Sequence, residues 1–104
     1  MRKAKVFVNG TEAGLLLELE FGKKYQFRYL EGYAEAPVSL TMPLSQQAFE
    51  FDVFPPFFDG VLPEGYQLEG LLKIGKVDRN DLFGQLMAVG DDLVGNVTVK
   101  EVPA

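Results

Sequence analysis

The 104-residue sequence predicts an α+β fold: a small antiparallel sheet or partly open β-barrel with two short helices packed on it. Three observations carry this prediction. Segments alternating apolar and polar residues, the period of a half-buried strand, occupy the first part of the chain. Two segments with helical spacing begin near Pro63 and Asp78, and Val97 with Val99 supplies a closing strand. Strands first, helices later and a strand at the end is an α+β order. The length fits one domain, taken as residues 1–104, and is too short for a two-lobed kinase or a doubly wound nucleotide-binding sheet.

Val6, Phe7 and Val8 form a first strand that reaches Asn9-Gly10, a dipeptide that tolerates positive φ and signals a two-residue hairpin. The return strand runs from about Ala13 to Glu20, with Leu15, Leu17 and Leu19 on one face and Leu16, Glu18 and Glu20 on the other. After a turn at Phe21-Gly22-Lys23, Tyr25, Phe27 and Tyr29 alternate with Lys24, Gln26 and Arg28. The expected pairing sets Leu17 opposite Phe27 and Leu19 opposite Tyr25 inside, with acids against bases outside. Val38, Leu40 and Met42 alternate with Ser39 and Thr41 as a further strand bounded by Pro37 and Pro43.

The stretch containing Phe49, Phe51, Phe54, Phe57 and Phe58 around Pro55-Pro56 follows no regular period. Core filling is its first reading, since large aromatics dominate burial in small domains; an exposed docking patch is the other. Pro63 suits the first turn of a helix and Glu64 its positive end, with Leu68, Leu71 and Leu72 as the buried stripe and Gly65 and Gly70 weakening it. Asp78 is the expected cap of a second helix. Asp81 follows three residues on, Leu82, Phe83, Leu86 and Met87 form the apolar face, and Gly90 supplies the stop.

Fifteen acids against ten bases give a net charge of −5 and a pI near 4.6. A phosphate backbone repels such a surface unless the bases cluster, and along the chain only Arg2, Lys3 and Lys5 come together, as a solvated terminus. A small nucleic-acid-binding barrel is thereby disfavoured. The absence of Cys removes disulfides and thiolate nucleophiles, and the absence of His removes the commonest general base and transition-metal ligand. No catalytic residue, metal or cofactor is expected. No apolar run has the length of a membrane span or a signal peptide, so a cytoplasmic protein is expected.

Asp91-Asp92, framed by Gly90 and Gly95, offers oxygen ligands for a hard cation, but a helix-to-strand loop explains the pair without further ligands. Asp59-Gly60 reads as a turn. Glu12, Glu18 and Glu20 are candidate acid/base carboxylates, yet alternation puts Glu18 and Glu20 on the solvent face, where carboxylates keep ordinary pKa values. Tyr66 follows Leu62-Pro63-Glu64-Gly65, a turn that Pro and Gly hold in shape, and either projects from it or is a buried structural tyrosine.

Phe57-Phe58-Asp59-Gly60-Val61-Leu62-Pro63-Glu64-Gly65 closely resembles the FF-(D)-x-LLPEG signature of the N-terminal subdomain of HipA-type serine/threonine kinase toxins. Other pieces follow in the family's order. Val6-Phe7-Val8-Asn9-Gly10 with Ala13-Gly14 resembles its opening hairpin, Phe27-Arg28-Tyr29 its F-x-Y strand, and Ser39-Leu40-Thr41-Met42-Pro43-Leu44 its S-L-S-L-P-L segment. Asp81-Leu82-Phe83 resembles its DLF helix. Gly90-Asp91-Asp92-Leu93-Val94-Gly95-Asn96-Val97 resembles the closing G-x-D-x-x-G-A-L motif, with Asn96 in place of Ala.

The resemblance implies a non-catalytic chain, because the family's ATP-binding and catalytic parts lie beyond this subdomain. A freestanding copy is similar to the HipS antitoxins of split HipBST toxin-antitoxin modules. That likeness implies a protein that binds and inhibits a HipT-like kinase toxin, alongside a HipB-like helix-turn-helix DNA-binding protein. The alternative is a structural N-terminal subdomain of a full-length HipA-like kinase. Leu62, Pro63, Glu64, Gly65 and Tyr66, with Phe58, are the expected partner-binding residues.

Overall fold

Asn9 and Gly10 take positive φ values of 51° and 82°, the backbone of a tight two-residue turn, and join strand β1 (Arg2–Val8) to β2 (Thr11–Glu20). Strands β3 (Lys24–Tyr29) and β4 (Ala48–Phe51) follow. Helices α1 (Pro56–Gly60), α2 (Gly65–Gly75) and α3 (Leu82–Val89) come next, then a 3-10 turn (Gly90–Asp92) and strand β5 (Val97–Val102). The computed structural model describes residues 1–75, 77–93 and 95–103, without the side chain of Asp92. The strands form one open antiparallel sheet in the order β4-β3-β2-β1-β5. The α+β prediction holds, with three short helices among the described residues rather than two.

The faces of β2 are reversed from expectation. Beside the turn Glu20 pairs with Lys24, the register that Phe21-Gly22-Lys23 predicts, but an irregularity between Glu18 and Glu20 leaves Leu19 without a partner. Every pair beyond it moves by one residue: Glu18 faces Tyr25, Leu17 faces Gln26 and Leu16 faces Phe27. One residue of slip exchanges the faces of a strand, so Leu16 and Glu18 point inward while Leu15 and Leu17 are half-exposed outside. The inward set from the sheet, including Val6, Leu16, Phe27 and Val99, packs with Phe58, Phe83 and Leu86 in one core.

Residues 38–42 form no strand. Only an isolated Ser39–Met42 bridge remains, Val38 and Met42 are buried, and Leu40 stands 94% exposed on the turn between them. The hydroxyl of Tyr29 replaces the missing ladder, accepting from the Val38 N–H at 2.9 Å and donating to the Met42 carbonyl at 2.6 Å. The Phe-rich stretch fills the core: Phe54 and Phe58 are buried, and Phe49, Phe51 and Phe57 pack partly buried against them. Its irregular spacing reflects two short elements, β4 and α1, with Pro56 in the first turn of α1, where its missing N–H costs nothing.

Helix α3 is capped by Asp81 and not by Asp78. The Asp81 carboxylate accepts from the Gly84 N–H at 3.0 Å, whereas Asp78 accepts from the Asn80 N–H at 2.8 Å in a local turn before the helix. Gly90 stands at the C-cap of α3 as expected, but in the right-handed region at φ −53°, from which the chain continues into the 3-10 turn. A side chain at Gly90 would collide with the Val99 carbonyl, so this glycine permits the turn to lie against β5.

Candidate functional site

The segment 56–66 is a surface turn standing on a buried base. Phe58 is fully buried and Leu62 8% exposed, while the Val61 and Leu62 N–H groups bond to the Phe58 and Asp59 carbonyls at 3.3 and 3.2 Å. Pro63 fixes its own φ, Gly65 adopts φ +59°, and α2 opens with the Leu68 N–H bonded to the Glu64 carbonyl at 3.4 Å. The helix therefore starts two residues later than Pro63 predicted. Its leucine stripe is only half-buried, and an Arg79–Glu69 ion pair at 2.6 Å ties it to the segment before α3.

Tyr66 is 97% exposed, which decides between the two readings of this residue in favour of projection. Next to it a groove of about 710 Å³ runs between the turn and α3, floored by Leu62, Leu71, Val89 and Leu93 with Glu64 at its margin. A smaller apolar pocket of about 260 Å³ lies beside β4, between Met42, Phe49, Phe51 and Phe57.

An ionic cluster that sequence reading missed ties the N-terminal cap of α3 to the sheet. The Arg2 guanidinium donates to both Glu18 oxygens at 2.7 and 3.0 Å and to both Asp81 oxygens at 3.0 and 2.8 Å. It lies over the Phe21 and Phe83 rings at 5.1 and 5.0 Å from their centroids. These contacts raise the Arg2 pKa further. The Arg2 hydrogen bond holds the Asp81 carboxyl below its ordinary range, assisted by the Gly84 N–H and opposed by burial. Two expectations fail here: Arg2 is no solvated terminus, and Glu18, 4% exposed, is no solvent-face carboxylate. Burial of an acid between Leu16 and the bulge was the available signal, and it becomes readable only once the register is known.

The predicted contact residues thus divide by depth. Glu64, Gly65 and Tyr66 are exposed and Pro63 half-exposed, whereas Phe58 and Leu62 belong to the core and act by supporting the turn. Glu12 is engaged by Lys5 at 3.6 Å. Asp59 and Gly60 form the end of α1 rather than a free turn. Asp91 is exposed in the 3-10 turn, and the Asp92 side chain lies outside the described residues, as does Val94 of the closing motif. Among the described residues no group of three Asp, Glu, His or Cys is placed to hold a metal, and no helix is long and apolar enough to cross a membrane.

An uncharacterized protein of Haemophilus influenzae is 33% identical over 101 residues, covering 97% of this chain and 93% of that protein. Among solved structures, one described as the N-terminal domain of HipA toxin aligns with a TM-score of 0.79 at 31% identity, covering 99% of this chain and 94% of that one. The family model of the HipA N-terminal domain matches residues 4–100, which takes in most of the hairpin, the turn at Leu62–Tyr66 and the first part of the closing strand. The chain belongs to the HipA N-terminal domain family.

Proposed function

We propose that this chain is a non-catalytic binding module that docks on a HipA-like serine/threonine kinase through the Leu62–Tyr66 turn and restrains it, as a HipS-like antitoxin would. The observation that carries this reading is the fully projecting Tyr66 on a turn whose base is buried. An aromatic held out by a stiff backbone loses little freedom on binding, and aromatic anchors contribute a disproportionate share of interface energy. The groove beside it accepts apolar partner groups, and Glu64 can pair with the basic groups of a phosphate-handling cleft.

The likeness to a domain of HipA toxin also supports a second reading, a structural subdomain that completes a HipA-like kinase. Both readings use the same turn and differ in outcome. Added to a purified kinase core lacking this domain, the chain should bind and lower phosphotransfer; binding with unchanged or raised phosphotransfer would favour the structural reading. Tyr66→Ala should keep the wild-type melting temperature and lose about 2 kcal/mol or more of affinity. Wild-type affinity in that folded variant would refute the proposed contact.

A further inference from the structure

The face of the sheet turned away from the helices carries a charge pattern that the sequence conceals. Cross-strand pairing brings Lys100, Lys5, Leu15 and Arg28 into one row over β5, β1, β2 and β3, and Val102, Lys3, Leu17 and Gln26 into the row beside it. The four cations are exposed and the four apolar or amide side chains half-exposed. At strand spacing the first row spans about 15 Å, and the second lies about 7 Å away. Bases scattered from residue 3 to residue 100 thus cluster in space, contrary to their dispersal along the chain. Glu12, paired with Lys5, Glu50, next to Gln26, and Glu20, opposite Lys24 at the turn, are the acids on this face, which with Lys24 added to its cations stays net positive on a chain of net charge −5.

Two features mark this face as unfinished. Lys5 and Lys100 stand directly opposite each other, an arrangement that destabilises a ladder. Among the described residues Lys3, Arg28 and Lys100 form no ion pair. Leu15 and Leu17, adjacent on one face of β2, make an apolar seam with Lys3 and Lys5 on one side and Arg28 on the other.

We propose that this open sheet face docks an acidic amphipathic helix of a protein partner, its apolar stripe along Leu15 and Leu17 and its carboxylates against Lys3, Lys5, Lys100 and Arg28. Charge complementarity selects the acidic partner, and the leucine seam selects a protein over a nucleic acid. A phosphate backbone would leave the leucines uncovered, and Phe7, the aromatic on this face, is half-buried and poorly placed to stack on bases. The surface is separate from the Tyr66 turn, so the two proposals stand or fall independently.

The test uses a fluorescently labelled helical peptide with leucines at i, i+3 and i+7 flanked by glutamates, a lysine-flanked counterpart and a single-stranded oligonucleotide. Anisotropy should detect the acidic peptide, with affinity falling as salt is raised. Amide shifts should map to residues 3–7, 15–17, 26–28 and 98–102. Lys100→Glu places an acid opposite Lys5, so it should raise the melting temperature while weakening the acidic peptide; Arg28→Glu/Lys100→Glu should weaken it about tenfold. The double variant should gain affinity for the lysine peptide, and Tyr66→Ala should bind as wild type. Equal affinity for the two peptides, shifts mapping to the α2 groove, tighter binding of the oligonucleotide, or no binding would each overturn the proposal.

Discussion

Replacing Arg2 with methionine keeps most of the side chain's length and apolar contact while removing its charge, so it isolates the ionic cluster. Glu18 is 4% exposed and would keep only uncharged neighbours, the Gly22 N–H at 3.4 Å and the Tyr25 hydroxyl, leaving a nearly buried carboxylate without a countercharge. Breaking a fully buried pair by removing one partner costs about 3–5 kcal/mol. Arg2 itself is 32% exposed, so water reaches the cluster edge and the lower end applies, about 3 kcal/mol. The stacking on Phe21 and Phe83 adds little to the difference, since methionine also packs well against rings. For a domain of this size that loss lowers the melting temperature by roughly 12 °C or more. Urea unfolding at pH 7 followed by far-UV circular dichroism measures it, the chain having no tryptophan. Glu18→Gln on the Arg2→Met background should recover part of the loss by removing the stranded charge. A loss under about 1 kcal/mol, the value for a solvated surface pair, would refute the assignment of Arg2 as the link between sheet and α3.

The same cluster sets an acid dependence. Asp81 titrates lower in the folded than in the unfolded chain, so its contribution is complete above its ordinary pKa of 3.8 and is lost as pH falls through the lower folded value. Wild type should exceed Asp81→Asn in stability at neutral pH, with the difference shrinking below about pH 4 in an acid titration; a pH-independent difference would contradict the link. Leu16→Ala should cost about 2–5 kcal/mol and Leu17→Ala under about 1, and the opposite order in denaturant melts would contradict the register. Gly90→Ala should destabilise by about 1–3 kcal/mol because its methyl meets the Val99 carbonyl; an unchanged melting temperature would show that the turn can yield.

Local chemistry was enough for much of the molecule. Asn9-Gly10 specified its hairpin through tolerance of positive φ, the alternation of Tyr25, Phe27 and Tyr29 identified β3 and its buried face, and Leu82, Phe83, Leu86 and Met87 located α3. The ordered motifs around Phe58 to Gly65 identified the family, and Pro63 with Gly65 marked the turn from which Tyr66 projects. These signals lie within a few residues of one another, where backbone sterics and side-chain periodicity act. The tertiary structure alone decided the rest. A single bulged residue, Leu19, reversed the faces of β2, which local hydrophobicity could not announce because leucines occupy both faces. The inward turn of Glu18 is stabilised by an arginine 16 residues away, itself bound to a helix cap 79 residues further on. The basic sheet face joins Lys3, Lys5, Arg28 and Lys100 only through strand pairing. Burial of charge and the sign of a surface depend on neighbours across the fold, and those exist only once the strands have found their register.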